Sequence, residues 1–462
     1  MIYIFQKLAF KRIINLITSA SDDNFIRFIE VVEKYFIRNK DNKTANTVAN
    51  TIKKAFKEKH PSLELFKSTF NRISPNCRDR IIENLLINTG IFAEQKRKAL
   101  KKKLSFSVPG FIAISPTATC NLNCVGCYAS EYTRRESLSF EVVDRILTEA
   151  KVLGTYFITI IGGEPFIWPG ILEMFEKHND MYFQIYTNGT LINNEIAERL
   201  SNIGNVAPAV SIEGFEKETD ERRGVGTFRK VMSAMDNLYR AGVIFGFSAT
   251  VTKQNSEVLI SDEFIDLMIL KGCTFGLYFQ YIPIGRNPDI NLMCTPEQRN
   301  IQRVKVNQIM KKKPILLGDF WNYGPQVGGC LAGARPGGYF HINSKGDVEP
   351  CVFLPFSVDN IKEKKLIDVI QSPFFKSIQK EQPYCQNNNL LTPCPLIDNP
   401  WAIRKVVGEF NVKLSYNGAE NVISDPKITT FLDNYSKKYK KITDPIWENE
   451  LSHRYKHWRD GG

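Results

Sequence analysis

Cys120-Asn121-Leu122-Asn123-Cys124-Val125-Gly126-Cys127-Tyr128 sets three cysteines at CxxxCxxC spacing, directly after an apolar run, Phe111–Ser115, that reads as a β-strand. Thiolates are the usual protein ligands of iron–sulfur clusters. Three thiolates on a four-iron cluster leave one iron open, and an open iron can chelate the amino and carboxylate groups of a small molecule. A zinc site or plain core thiols is the alternative. Structural zinc takes four protein ligands, and no further His or Cys stands close in sequence.

Outward from this loop, short apolar strands alternate with helical patterns. The strands are Phe111–Ser115, Tyr156–Ile161, Phe183–Thr187, Ala207–Ile212, Phe245–Thr250 and Phe275–Tyr281. A helix is expected over Phe140–Val152, capped by Ser139 and ended by Gly154. Six βα units imply an α/β fold with a parallel sheet curled into a partial (β/α)6, TIM-like barrel. Active sites in such barrels lie at the C-terminal ends of the strands, so the residues just after each strand carry the interest.

The chain has 462 residues, long enough for two or three units. We read 1–104 as a basic helical N-terminal domain, 105–315 as the barrel, 316–400 as a Cys-containing domain and 401–462 as a C-terminal extension. Helical periodicity marks Phe25–Phe36, Thr47–Lys57 and Asp79–Ile87. The net charge is +12, and all of that excess falls in Met1–Lys103, with 22 Lys+Arg against 10 Asp+Glu. Such asymmetry suits an anionic partner, or simply a solubilising helical surface. No uninterrupted apolar run is long enough to span a bilayer, and Met1–Ala20 lacks the apolar core of a signal peptide. A cytoplasmic location is therefore expected, so the ten cysteines are first read as metal or cluster ligands.

Gly162-Gly163-Glu164-Pro165 follows the second strand, Thr187-Asn188-Gly189 the third, and Ser211-Ile212-Glu213-Gly214 the fourth, with Arg222-Arg223 shortly after. Tyr281-Ile282-Pro283-Ile284-Gly285-Arg286 follows the sixth. Glycines allow close backbone approach, a carboxylate suits an ammonium, and Arg suits a carboxylate. Together with the cysteine loop, these motifs resemble the radical S-adenosylmethionine (radical SAM) superfamily. The resemblance implies a 4Fe–4S cluster on Cys120, Cys124 and Cys127, with S-adenosylmethionine held near Tyr128, Gly162, Gly163, Glu164, Asn188, Ser211 and Arg223, Arg222 being the fallback. It further implies reductive cleavage of S-adenosylmethionine to a 5′-deoxyadenosyl radical that takes hydrogen from a substrate. Glu213 departs from the Asp found in many relatives, and the Pro283–Arg286 turn is expected on the adenosine or substrate side. On the sixth strand Tyr278 and Gln280 are candidates to point inward. No catalytic acid or base is assigned.

A second cysteine group, Cys330, Cys351, Cys385 and Cys394, lies in a Gly/Pro-rich region. Cys330, followed by Gly346-Asp347-Val348-Glu349-Pro350-Cys351, resembles the SPASM/Twitch auxiliary-cluster domain. The dense run of further cysteines of a full SPASM pattern is missing, which implies one auxiliary 4Fe–4S cluster on these four residues. Cys77, Cys273 and Cys294 read as ordinary core or surface thiols, with Cys294 a spare ligand candidate. The resemblance implies a low-potential electron donor, flavodoxin- or ferredoxin-like, and a substrate that is a peptide or protein side chain or a small molecule. Met1–Thr18, amphipathic and basic, opens the alternative of a lipid substrate at the inner face of a membrane. A non-catalytic iron–sulfur scaffold is the remaining reading. Nucleic acid is disfavoured because no binding module is evident.

Overall fold

The computed structural model describes residues 57–104, 106–133, 135–384 and 387–455. The expectations placed on Met1–Thr18, Phe25–Phe36, most of Thr47–Lys57, and Cys385 lie outside them. Six parallel strands run in chain order as neighbours: β1 (Phe111–Ile114), β2 (Phe157–Ile160), β3 (Tyr182–Thr187), β4 (Val206–Ser211), β5 (Gly246–Val251) and β6 (Phe275–Gln280). Their outward faces are branched or aromatic, and Ile114, Ile158, Phe183, Val210 and Phe247 are all fully buried. Each such side chain contributes roughly 1.5–3 kcal/mol on burial. The crossover helices cover that face. They include Phe140–Val152, whose N-cap Ser139 accepts from Val142 N, and Asn194–Ile203, capped by Asn193 and ended by left-handed Gly204.

The sheet extends beyond the expected limits on both sides. β7 (Leu316–Asp319) pairs in parallel with β6, so the barrel runs past residue 315. On the other edge β8 (His341–Ile342) pairs in parallel with β1, and β9 (Asp347–Glu349) pairs antiparallel with β8. The hairpin before Cys351 is therefore part of the same sheet as the strand before Cys120. A buried hydrogen-bond network fixes that junction. Glu349 accepts from Tyr132 Oη (2.9 Å), Asn343 Nδ2 (2.8 Å) and Ser415 Oγ, and lies 2.6 Å from His341 Nδ1. His341 Nε2 is 2.7 Å from Ser115 Oγ.

Residues 57–104 do not stand apart as a domain of their own. Phe70, Ile73, Cys77, Ile81, Ile82 and Ile87 form one apolar cluster with Tyr182 and Ala207, at the N-terminal ends of β3 and β4. Arg72 donates to Val243 O and Gly272 O, and Asn84 to Asn179 O and Met181 O. These carbonyls precede β5, β6 and β3, so the segment plugs the end of the barrel opposite the cysteine loop. The C-terminal extension is likewise built in: the helix Pro426–Ile446 buries Leu432, Tyr435 and Tyr439, and Trp447 follows at 1% exposure. No helix among the described residues is long and apolar enough to cross a membrane.

Candidate active site

At the C-terminal ends of the strands lies a cavity of about 400 Å3, within the size range of small-molecule sites. Cys120, Cys124, Cys127, Tyr128, Gly162, Gly163, Asn188, Ser211, Arg222 and Arg223 all line it. Each strand-end motif also grips the cysteine loop. Gly163 N donates to Thr117 O (3.0 Å) and Glu164 N to Thr119 O (2.8 Å). A Cβ on Gly163 would stand 2.2 Å from Thr119 O, so only glycine lets these backbones meet. Asn188 Nδ2 donates to Asn121 Oδ1 (2.8 Å), and Val125 N to Arg222 O (2.9 Å). The turn after β6 packs on Cys127: Arg286 N reaches Cys127 O and Ser130 Oγ, and Arg286 Nη1 reaches Asn123 Oδ1. That turn braces the loop, while Tyr281 and Ile282 ahead of it line the cavity.

Two expectations change. The Glu164 carboxylate does not face the cavity. It is fully buried and accepts from Thr187 Oγ1 (2.8 Å), Asn188 N (2.7 Å) and Phe166 N (3.2 Å), which ties the turns after β2 and β3 together. Burial pushes its pKa up to about 7, against the pull of those donors. On β6, the side chains of Leu277 and Phe279 line the cavity, whereas the Tyr278 hydroxyl turns outward to Leu259 O. A strand alternates its faces, so Gln280 turns away on the same side as Tyr278, its Nε2 donating to Gln302 Oε1 at 3.0 Å.

Arg222 and Arg223 converge on fully buried Glu213, with Arg222 Nη1 at 2.6 Å and Arg223 Nε at 2.8 Å from its Oε1. Burial opposes the charge on Arg223, but Glu213 and Cys124 outweigh it and hold the guanidinium charged. Glu213 Oε2 accepts from Thr250 N, which anchors the trio to β5. Sequence reading missed Glu213 as the organiser of this pair. Its signal was a carboxylate at a strand end, nine and ten residues ahead of two arginines. Ser211 Oγ lies 3.2 Å from Ser248 Oγ.

Cys330, Cys351 and Cys394 form a second group; burial raises the pKa of Cys330 and Cys351, and the neighbouring Cys394 raises both further. Burial pushes Cys351 up to about 12 and Cys394 up to about 11. Buried thiolates of this kind need a cation, and iron supplies one. Cys120 and Cys127 are raised for the same reason. Among the described residues no three His, Cys, Asp or Glu side chains close around a single metal ion. A multi-iron group, whose ligands bind different iron atoms, does not need its thiols to close around one ion. Although their thiols are desolvated, the residues of both groups keep some surface exposure, whereas Cys77, Cys273 and Cys294 are buried at 0%, 3% and 1%. Cys294 sits in the main hydrophobic core.

Residues 114–260 match the family described as the Radical SAM superfamily, and residues 330–396 match SPASM, an iron–sulfur cluster-binding domain. The AdoMet-dependent heme synthase of Methanosarcina barkeri (strain Fusaro / DSM 804) is 28% identical over 296 residues, covering 57% of this chain and 82% of that one. The mycofactocin maturase MftC of Mycobacterium ulcerans (strain Agy99) is 28% identical over 282 residues, covering 58% and 76%. Among solved structures, Streptococcus suis SuiB bound to S-adenosylmethionine superposes with a TM-score of 0.55 at 23% identity, covering 65% of this chain and 75% of that one. The last likeness is one of fold.

Proposed function

We propose that this chain, a radical SAM enzyme with a C-terminal SPASM domain, works on an uncharged, apolar group of its substrate. The observation that carries this reading is the composition of the cavity wall. Beside the three thiols, the fully charged side chains lining it are Arg222 and Arg223, both already paired with Glu213. The rest is apolar, aromatic or neutral: Phe111, Phe157, Tyr186, Phe279, Phe320 and Tyr339 surround Thr159, Gln184 and Ser248. Once S-adenosylmethionine occupies the arginine pair, a second carboxylate brought deep into such a wall would be stripped of water without a partner, at a cost of several kcal/mol.

Cys120, Cys124 and Cys127 would hold the 4Fe–4S cluster. The charged Arg222–Arg223 pair offers the carboxylate of S-adenosylmethionine a guanidinium partner. Asn188, Ser211 and the Gly162–Gly163 backbone offer neutral hydrogen-bonding groups, and Tyr128 closes the wall beside Cys127. When bound, the cluster supplies one-electron cleavage of the sulfonium bond, the source of a hydrogen-abstracting radical. The aromatic wall then keeps water from the reacting position. Cys330, Cys351 and Cys394, with Cys385 as the fourth candidate, would hold an auxiliary cluster. A flavodoxin- or ferredoxin-like protein is the proposed reductant. The apolar group is read as a peptide or protein side chain or part of a small molecule.

The test uses anaerobically reconstituted protein loaded with S-adenosylmethionine, so that the arginine pair is occupied. Indole and indole-3-carboxylate are titrated in, with binding read by saturation-transfer NMR. Indole should bind at least ~10-fold more tightly, since the carboxylate must be desolvated unpaired. Equal or tighter binding of the carboxylate would contradict a neutral cavity.

A further inference from the structure

Tyr339 lines the cavity beside Leu331 and Val352, the chain neighbours of Cys330 and Cys351. It is 4% exposed. Its ring stacks on Phe111 of β1, with centroids 4.9 Å apart and planes 8° from parallel, and both rings line the cavity. Its hydroxyl lies 2.9 Å from Cys351 Sγ. One side chain thus touches the substrate cavity with its ring and an auxiliary thiol with its polar atom. No role in the barrel's packing requires the hydroxyl, because the ring alone makes the stack.

We infer that Tyr339 is a positioning residue for the auxiliary cluster, donating a hydrogen bond to the Cys351 thiolate and so setting the reduction potential of that cluster from the cavity side. The inference rests on the assignment of Cys330, Cys351 and Cys394 to that cluster. A thiolate bound to iron is an acceptor only, so the phenol O–H must be the donor. A hydrogen bond to a ligating sulfur draws electron density from it and favours the reduced, more negative cluster, which raises the potential. The backbone helps keep Tyr339 in place: Ala334 N donates to Tyr339 O (2.9 Å), and Tyr339 N donates to Leu331 O (2.7 Å), one residue from Cys330. Because the ring is part of the cavity wall, a substrate that presses on it acts on the same hydrogen bond.

The test is potentiometric EPR on the full chain, reconstituted anaerobically with iron and sulfide in a Cys124→Ala background that leaves only the auxiliary cluster. Tyr339→Phe keeps the ring and its stack and removes only the hydroxyl. The midpoint potential should move to more negative values. Tyr186→Phe, which removes another hydroxyl from the cavity wall, should leave it where it is. An unchanged midpoint in Tyr339→Phe would overturn the inference while leaving the cluster assignment intact. So would a Tyr339→Phe protein that folds but assembles no cluster, since the hydroxyl would then serve assembly rather than tuning. A Cys124→Ala background with no cluster at all would remove the assignment itself, and the inference with it.

Discussion

Alanine at Cys124 should abolish release of methionine from S-adenosylmethionine, by about 100-fold or more, in the reduced, reconstituted protein. Loss of outer-shell partners alone typically costs 10–100-fold at a metal site, and a lost ligand costs more. The loop offers no substitute: among the described cysteines, the others are buried in cores or belong to the Cys330 group. Cys124 also sits beside Val125, whose amide is held by Arg222 O, so the loop itself should keep its shape in the variant. Cys273→Ala is the control. That thiol is 3% exposed in the hydrophobic core, and its loss should cost packing energy while leaving methionine release in place. Equal activity in Cys124→Ala and wild type would contradict the site.

Arg299→Met should destabilise the protein by about 3–5 kcal/mol, the usual result of leaving one partner of a buried ion pair uncompensated. Arg299 and Asp398 are both 0% exposed, joined by Nη1–Oδ1 at 2.6 Å and Nη2–Oδ2 at 3.2 Å. The guanidinium also lies 3.9 Å from the centre of the Tyr439 ring, and its Nε donates to Asn322 Oδ1. Asp398 Oδ2 in turn accepts from the amide of Cys394 at 3.0 Å. One ion pair therefore links the helix Pro296–Met310, the C-terminal helix and an auxiliary thiol. Urea unfolding should show the loss in Arg299→Met and a substantial recovery in Arg299→Met/Asp398→Leu, where no buried charge remains. The double variant should nevertheless hold its auxiliary cluster less well, because the Cys394 amide has lost its acceptor. A single variant as stable as wild type would contradict the pairing.

The six barrel strands were legible because each is an apolar run bounded by glycine or polar turns, and the helix Phe140–Val152 because its cap and stop residues are local. The cysteine spacing was legible for the same reason: nine consecutive residues carry it. Features made by long-range pairing were not. β8 and β9 have two and three residues, too few for any period, and they become strands only by pairing beside β1. β7 follows a lysine run and begins with exposed Leu316, which hid its parallel pairing with β6. The N-terminal segment read as a separate domain because its ties, such as Arg72 to Val243 O, span 171 residues. Glu164 shows the limit of motif reading. The residue type suits an ammonium, but the fold spends both oxygens on the turns around it. Tyr339 carried no motif at all, since its contact with Cys351 exists only once the hairpin folds.

The central claim is that Cys120, Cys124 and Cys127 hold one iron–sulfur cluster at the open end of the barrel and that the Cys330 group holds another. It is tested most directly by iron and sulfide analysis with EPR on anaerobically reconstituted wild type and on the Cys120→Ala/Cys124→Ala/Cys127→Ala variant. The account predicts two clusters in the wild type and one in the variant. Equal cluster content in the two proteins, or no cluster in either, would contradict it.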